Sequence, residues 1–283
     1  MCNLSIITIN RNNAEGLEKT IQSVGKQVFK DFEYIIVDGS SSDNSTAIIK
    51  KHEGTFLDRI KWISEPDTGI YNAMNKGISM ASGEYVQFLN SGDCLVSEDV
   101  TEKMISALEQ KGFPNILYGN MLKELRRGQL MRDRCFAGQD ISFLGFYTGT
   151  LNHSPAYIKR SLFEKYGMYD ETLKIVSDWK WYLQAIILGG EIPAYADIDV
   201  TLFDMNGISE TNKELEKAER VQVLTTLIPA PILSDYYQWT FPIEQMKRLK
   251  RHPWVYKVVW FVERCLFKFE KLSIKRKNEN AYR

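Results

Sequence analysis

Gly83-Glu84-Tyr85-Val86-Gln87-Phe88-Leu89-Asn90-Ser91-Gly92-Asp93 passes from an apolar run straight into a polar turn that ends in a carboxylate. Tyr85, Val86, Phe88 and Leu89 read as a buried strand, because aromatic and β-branched side chains fit a pleated interior. Ser91-Gly92 breaks the run and leaves Asp93 at the strand's carboxyl end. In open α/β sheets that edge is where ligands bind. The rest of the chain is read outward from it.

Upstream, residues 4–9, 32–37 and 59–64 are further strand-like runs, the first two apolar enough to be central. Helical stripes separate them: Leu17, Ile21, Val24 and Val28 within 15–28, a helix over 45–52, and Ile70, Met74, Ile78 and Ala81. This β-α-β-α-β-α-β order over 1–93 predicts a mostly parallel sheet with helices on both faces. Polar residues follow each strand. Asn10-Arg11-Asn12-Asn13 suits a nucleotide-contacting loop or, equally, a turn and helix cap. In Asp38-Gly39-Ser40-Ser41-Ser42-Asp43, Asp38 can accept from a base or ribose hydroxyl or only order its turn, while Ser42 or Asp43 caps the next helix. Asn75-Lys76-Gly77 sets an amide and an ammonium on one side of the third helix, where a lysine is ordinarily just solvated.

Downstream, Ser97 and Asp99 can cap a helix over 100–110; residues 116–120 and 152–158 read as strands and 160–166 as a short helix. Residues 121–150 mix strand-like and loop-like pieces carrying Arg126, Arg127, Arg132 and Arg134, which are assigned to an acceptor side. Ser177 is a candidate N-cap for a helix ending at Gly189-Gly190. Asp178 then falls in the first turn, where a purely stabilising effect of ~0.3–1 kcal/mol would explain it.

At 283 residues the chain holds one large α/β domain with an extension, or two small ones. Lys+Arg and Asp+Glu are equal at 36 each, so net charge gives no sign of a nucleic-acid partner. The distribution is uneven: 12 Lys/Arg and 4 Asp/Glu lie between Glu244 and Arg283, a local net of +8 on a body of −8. Cys2, Cys94, Cys135 and Cys265 form no CxxC or zinc pattern, which suits a reduced, cytoplasmic compartment. The first strand begins almost at once, leaving no room for a signal peptide, and no run reaches the ~20 apolar residues of a membrane span.

Taken in order, five stretches resemble the family 2 glycosyltransferases of the GT-A nucleotide-diphospho-sugar transferase fold. They are Ser5-Ile6-Ile7-Thr8-Ile9-Asn10; Ile36-Val37-Asp38-Gly39-Ser40-Ser41-Ser42-Asp43; Asp67-Thr68-Gly69-Ile70-Tyr71-Asn72-Ala73-Met74-Asn75-Lys76-Gly77; Gly83-Glu84-Tyr85 with Phe88 to Asp93; and Ser177-Asp178-Trp179. Each is weak alone, and their order over about residues 4–205 is what is specific. The Gly69–Gly77 run looks most like enzymes that build bacterial surface polysaccharides, the colanic-acid type among them. The resemblance implies that Thr8, Asn10, Asp38 and Ser40 line the base and ribose site, with Asp67 and Lys76 near the nucleotide and its sugar and Asn90 and Ser91 beside them. It implies Asp93 as the metal-coordinating carboxylate for Mn²⁺ or Mg²⁺, and Asp178 as the general base. Asn90 and Gly92 stand where acidic residues often occur in the family. His153 is a second candidate for metal or acceptor contact, against a plainer role as a strand-end hydrogen bonder.

The implied function is inverting transfer from a nucleotide-diphosphate sugar, UDP-linked by default, to a glycan or lipid-linked acceptor in cell-surface polysaccharide synthesis. The alternatives are a sugar-phosphate nucleotidyltransferase, whose Gly-rich phosphate loop is replaced here by Asn10-Arg11-Asn12-Asn13, and a nucleotide-sugar-binding protein without turnover. A processive synthase is disfavoured, since the Gln-x-x-Arg-Trp motif and membrane spans are missing. Residues 1–205 are expected to form the catalytic domain, with halves 1–95 and 96–205, and 206–283 a helical extension broken by Pro229, Pro231 and Pro242. Within 246–272, aromatics alternate with cations, as in Trp254-Val255-Tyr256-Lys257. That segment suits peripheral contact with the inner face of a membrane, or packing on the catalytic domain or a second subunit.

Overall fold

Alternation decides the first strand: in β1 (Leu4–Asn10) Ile6 and Ile7 face opposite sides of the sheet, and both are fully buried. Ile6 joins a core with Leu17, Ile21, Ile49, Met104 and Leu108, whereas Ile7 meets Gly77 so closely that a Cβ there would strike it. Helices therefore cover both faces. In this computed structural model residues 4–125, 128–137, 139–205, 207 and 211–281 are described, side chains at 244 and 272–281 aside.

The order is β1, α1 (Ala14–Gly25), β2 (Phe32–Asp38), α2 (Ser45–Phe56), β3 (Ile60–Ser64), α3 (Ile70–Met80), β4 (Tyr85–Phe88), β5 (Cys94–Leu95) and α4 (Val100–Gln110). It continues with β6 (Ile116–Glu124), β7 (Leu130–Asp133), α5 (Phe143–Thr148), β8 (Ala156–Lys159), α6 (Ser161–Tyr166), α7 (Ser177–Tyr182) and β9 (Ala194–Phe203). The final elements are α8 (Lys213–Leu227), α9 (Ala230–Lys250) and α10 (Pro253–Ala281). Among the described residues nine strands form one sheet in the order β3-β2-β1-β4-β8-β6-β9-β5, with β7 paired to β6.

The parallel expectation describes β3-β2-β1-β4. Past Asp93 the sheet is mixed, because β8 runs antiparallel to both β4 and β6, while β9 runs parallel to β6. The strand order reverses between β1 and β4, and such a switch point opens a crevice at the carboxyl ends. Asn10, Asn90 and Asp93 lie there.

Several local readings need correction. The first helix ends at Gly25 rather than at Val28, whose N–H turns away to Glu98 O. Residues 152–155 are a turn, not strand, closed by the bond from Ala156 N to His153 O. Ser177 does not cap α7: Val176 holds that position, and Ser177 Oγ accepts from Asp170 N at 2.6 Å. Pro229 does precede a helix, but Pro242 lies inside α9 without ending it.

The chain divides into two compact units, Met1–Val223 and Leu224–Arg283, a later boundary than 205. The reason is α8. Glu219, 6% exposed, accepts from the backbone N–H groups of Lys174, Ile175 and Val176 at 2.7, 2.9 and 3.2 Å. Arg220 stacks over Trp179 and donates to Gly149 O. In the second unit α9 and α10 meet at Arg251-His252, and no described helix is long and apolar enough to cross a membrane.

Candidate active site

Asp178 sits in the first turn of α7, continued by a π-helical turn over Leu183–Leu188. Two indoles pin this helix: Trp179 donates to Phe146 O and Gly149 O, and Trp181 to Gly167 O. Trp181 also stacks on Phe163, which with Tyr169 packs against Phe88 of β4. Each such aromatic pair adds about 0.5–1.5 kcal/mol beyond area burial, so α7 is tied firmly to β4, the strand that leads into the Asn90–Asp93 turn.

Both oxygens of Asp178 are engaged. Tyr71 of α3 places its hydroxyl 2.9 Å from Oδ1 and 2.5 Å from Ile175 O, with one proton for the two. His153 Nδ1 lies 3.0 Å from Oδ2. Burial alone would raise the Asp178 carboxyl, but the hydrogen bond and charge of His153, with Tyr71, hold it below its ordinary value. Burial opposes a charge on His153, and Asp178 overcomes that, with Asp93 adding to the upward shift. The result is an ionised carboxylate fixed between a tyrosine and an imidazole.

His153 is also the link to Asp93. Its charge acts on both aspartates, and its Nε2 is 3.4 Å from Asn90 Nδ2. Its bond to Asp178 occupies Nδ1 and orients the ring, and it lies in a turn, not at a strand's end. Asp93 is 2% exposed; its Oδ1 accepts from Asp204 N at 2.9 Å, and its Oδ2 is buried without a hydrogen-bond partner. Burial pushes its carboxyl up to about 7, with nearby Asp204 contributing.

Unpaired buried acceptors recur along this edge, at Asn10 Oδ1, Asn90 Oδ1 and Asp93 Oδ2. Folded proteins pair nearly all such atoms, so three at neighbouring strand ends mark a place built to receive donors or a cation. No group of three His, Cys, Asp or Glu side chains able to hold a metal forms among the described residues. A hard cation that also binds substrate phosphates needs only one or two carboxylates, and Asp93 Oδ2 fits that demand.

The remaining candidates separate. Asp38 accepts from Asn10 Nδ2, Ser41 N, Ser41 Oγ and Ser64 Oγ; burial would raise it, and these bonds hold it low. It orders the turn after β2. Ser40, exposed with φ 53°, stands outside this network, which Ser41 joins instead. Thr8 is fully buried, donating to Leu89 O at 2.7 Å and touching Tyr34 OH, so its side chain joins β1 to the end of β4. Asp67 packs on Gly39 beside Arg11, 3.6 Å away. Lys76 pairs with Glu65 and donates to Pro66 O, bracing the loop that carries Asp67. Ser91 is bonded by Asn13 Nδ2, the N-cap of α1. Arg132 and Arg134 pair with Asp199 and Asp197 of β9, while Arg126 and Arg127 lie outside the described residues.

Tyr71, Glu219 and Asp204 went unnoticed in the sequence. Tyr71 lay inside a quoted run and carried the only signal available.

Among known proteins, the chain is 34% identical over 188 residues to an uncharacterised glycosyltransferase of Mycobacterium tuberculosis, covering 65% of this chain and 69% of that one. It is 25% identical over 224 residues to a PGL/p-HBAD biosynthesis glycosyltransferase of Mycobacterium bovis, covering 79% and 85%. Staphylococcus aureus TarS 1–349 in complex with UDP-GlcNAc superposes with a TM-score of 0.63 at 19% identity, over 84% of this chain and 73% of that one. The match covers 40% of the longer TarS chain. The mannosyltransferase PcManGT of Pyrobaculum calidifontis, with GDP-Man and Mn²⁺, gives 0.61 at 14% identity over 88% and 75%. These structures share the GT-A fold. Residues 5–167, more than half of the sequence, match the description "Glycosyl transferase family 2". The chain therefore belongs to glycosyl transferase family 2, and is a glycosyltransferase.

Proposed function

We propose that this enzyme transfers a sugar from a nucleotide-diphosphate donor, UDP-linked by preference, to a glycan or lipid-linked acceptor with inversion at the anomeric carbon. The observation that carries the reading is the carboxylate of Asp178, held on one oxygen by Tyr71 and on the other by His153, whose Nε2 approaches Asn90 in the turn that ends at Asp93. The acceptor oxygen forms its bond to the anomeric carbon as the bond to the diphosphate breaks. Its proton passes to Asp178, and the electron pair leaves on the diphosphate. A positioned base of this kind contributes roughly 10²–10⁴-fold. Asn10 Oδ1 offers an acceptor to a base N–H, with Asp67 and Arg11 flanking. Asp93 would hold Mg²⁺ or Mn²⁺, which neutralises the departing diphosphate.

A cell-surface role draws on two supports. One is a relative, a glucosyltransferase of Campylobacter jejuni named for an undecaprenol-linked acceptor, 34% identical over 143 residues. The other is α10. Lys257, Arg264, Lys268 and Lys271 fall within about 60° of one another around the helix. Exposed Trp254, Val258, Phe261 and Phe269 lie in the adjoining sector, and exposed Trp260 and Phe267 border the cations on the other side. Cations flanked by exposed aromatics favour an anionic membrane surface.

Nucleotide sugars screened for metal-dependent turnover would identify the donor, and NMR of the product would give its configuration. Asp178→Asn is expected to abolish transfer and leave donor binding nearly intact. A retained configuration, or a folded and active Asp178→Asn enzyme, refutes the mechanism.

A further inference from the structure

The family resemblance leaves a gap at Gly92, where an acidic side chain often stands. The structure shows what fills that space. A Cβ at Gly92 would lie 2.5 Å from Asp204 Oδ2 and 3.0 Å from Asp204 Cβ. Gly92 also holds φ 108°, a conformation that side chains resist. Asp204 follows directly on β9 and donates its N–H to Asp93 Oδ1, so the two residues are locked together from opposite ends of the site. The other oxygen of Asp93 is 98% buried by residue and unpaired. Two neighbouring carboxylates around an unmet acceptor are an electrostatic cost that a divalent cation removes.

We propose that Asp204 supplies the second carboxylate of the cation site, standing in for the acidic residue absent at position 92. The inference rests on the reading of Asp93 as the carboxylate facing the diphosphate. Two carboxylates and the donor's phosphates complete the ligand set such a cation requires. It also explains why the chain tolerates glycine at 92: the acid arrives from β9, 111 positions along the chain.

The test is Mn²⁺ binding to the full chain in the presence of UDP, followed by calorimetry and by the Mn²⁺ paramagnetic resonance signal. Asp204→Asn keeps the backbone bond to Asp93 and should weaken Mn²⁺ by about 10- to 100-fold. UDP binding in chelator should be unchanged. The upward shift of the melting temperature on adding Mn²⁺ with UDP should shrink. Gly92→Asp should weaken Mn²⁺ as well, because the new side chain meets Asp204. Wild-type Mn²⁺ affinity in Asp204→Asn, with Asp93→Asn defective, overturns the inference and spares the role of Asp93. Absence of any Mn²⁺ or Mg²⁺ binding by the wild-type protein with nucleoside diphosphates overturns both.

Discussion

Glu219→Gln tests how the proposed base, Asp178, is held. The native carboxylate takes three backbone N–H groups from residues 174–176, the loop that delivers Asp178. The amide can keep its oxygen toward Ile175 and Val176, but its NH₂ then faces the N–H of Lys174. One charge-assisted bond is lost, two are weakened to neutral strength and a buried donor is left unmet. At about 1.5–3 kcal/mol for a bond to a charged group and ~1 for a neutral one, the sum is roughly 2.5–7 kcal/mol. For a unit of this size that lowers the melting temperature by roughly 5–28 °C. Release of the loop also lets Asp178 drift, and a displacement near 1 Å costs on the order of 10²-fold in rate. Donor KM should change little, because the proposed donor site lies at the ends of β1, β2 and β4. Glu216→Gln, whose partner Arg220 is partly exposed, should cost no more than about 1 kcal/mol. Thermal unfolding and steady-state kinetics on the two variants decide it. A Glu219→Gln enzyme with wild-type melting and kcat would falsify the claim that this carboxylate positions the base.

Three further outcomes are expected. Glu33 is bonded by Ser5, Ser82 and Gly83 N and paired with Lys61; burial would raise its carboxyl, and these partners bring it from 4.5 to about 2. Its stabilisation is complete above the unfolded value near 4.5 and is lost as pH falls through about 2. Allowing for a side chain 13% exposed, it amounts to about 2–3 kcal/mol at neutral pH. Urea unfolding of Glu33→Gln should show that loss and a flatter profile below pH 4.5; an unchanged profile rejects the assignment. Thr8→Val should cost about 1 kcal/mol of stability with donor affinity intact, measured by calorimetry; weakened donor binding alone would return Thr8 to the site. Replacing Lys257, Arg264, Lys268 and Lys271 by alanine removes about 4 kcal/mol of attraction to anionic vesicles, near 10³-fold in partitioning by flotation. Equal flotation of the variant and native proteins, or equal binding to zwitterionic vesicles, disposes of the membrane role.

The N-terminal half was legible because its information is local. Continuous apolar strands, three stripes at helical spacing and a turn after each strand repeat within short windows, and β1, β2, α3, β4 and α4 follow from them directly. β9 was missed although Ala196, Ile198, Val200 and Leu202 alternate with Asp197, Asp199 and Thr201, the period-2 pattern of a half-buried strand, because two acids in its middle dilute the apolar run. Those acids are there for Asn120, Arg132 and Arg134, partners that arrive only after β6 and β7 have paired. Ser177 misled for a similar reason: a good capping residue was drawn off by Asp170, seven positions away.

The same distinction separates what the site's motifs could and could not disclose. Asp93 and Asp178 stood out because each ends or opens an element, a position visible in one window of sequence. What makes either one chemically useful is nonlocal. Asp178 is ionised and oriented through Tyr71, 107 positions upstream, and His153, 25 positions upstream. Asp93 gains its neighbour from the far end of β9. A parallel half-sheet extended by antiparallel strands makes these meetings possible. β8 reverses beside β4, which brings His153 back across the carboxyl edge, and β9 then runs parallel to β6 toward the same edge. The departure from an all-parallel sheet is therefore what assembles the site, since strands that all ended together behind right-handed crossovers would leave Asp93 without either partner.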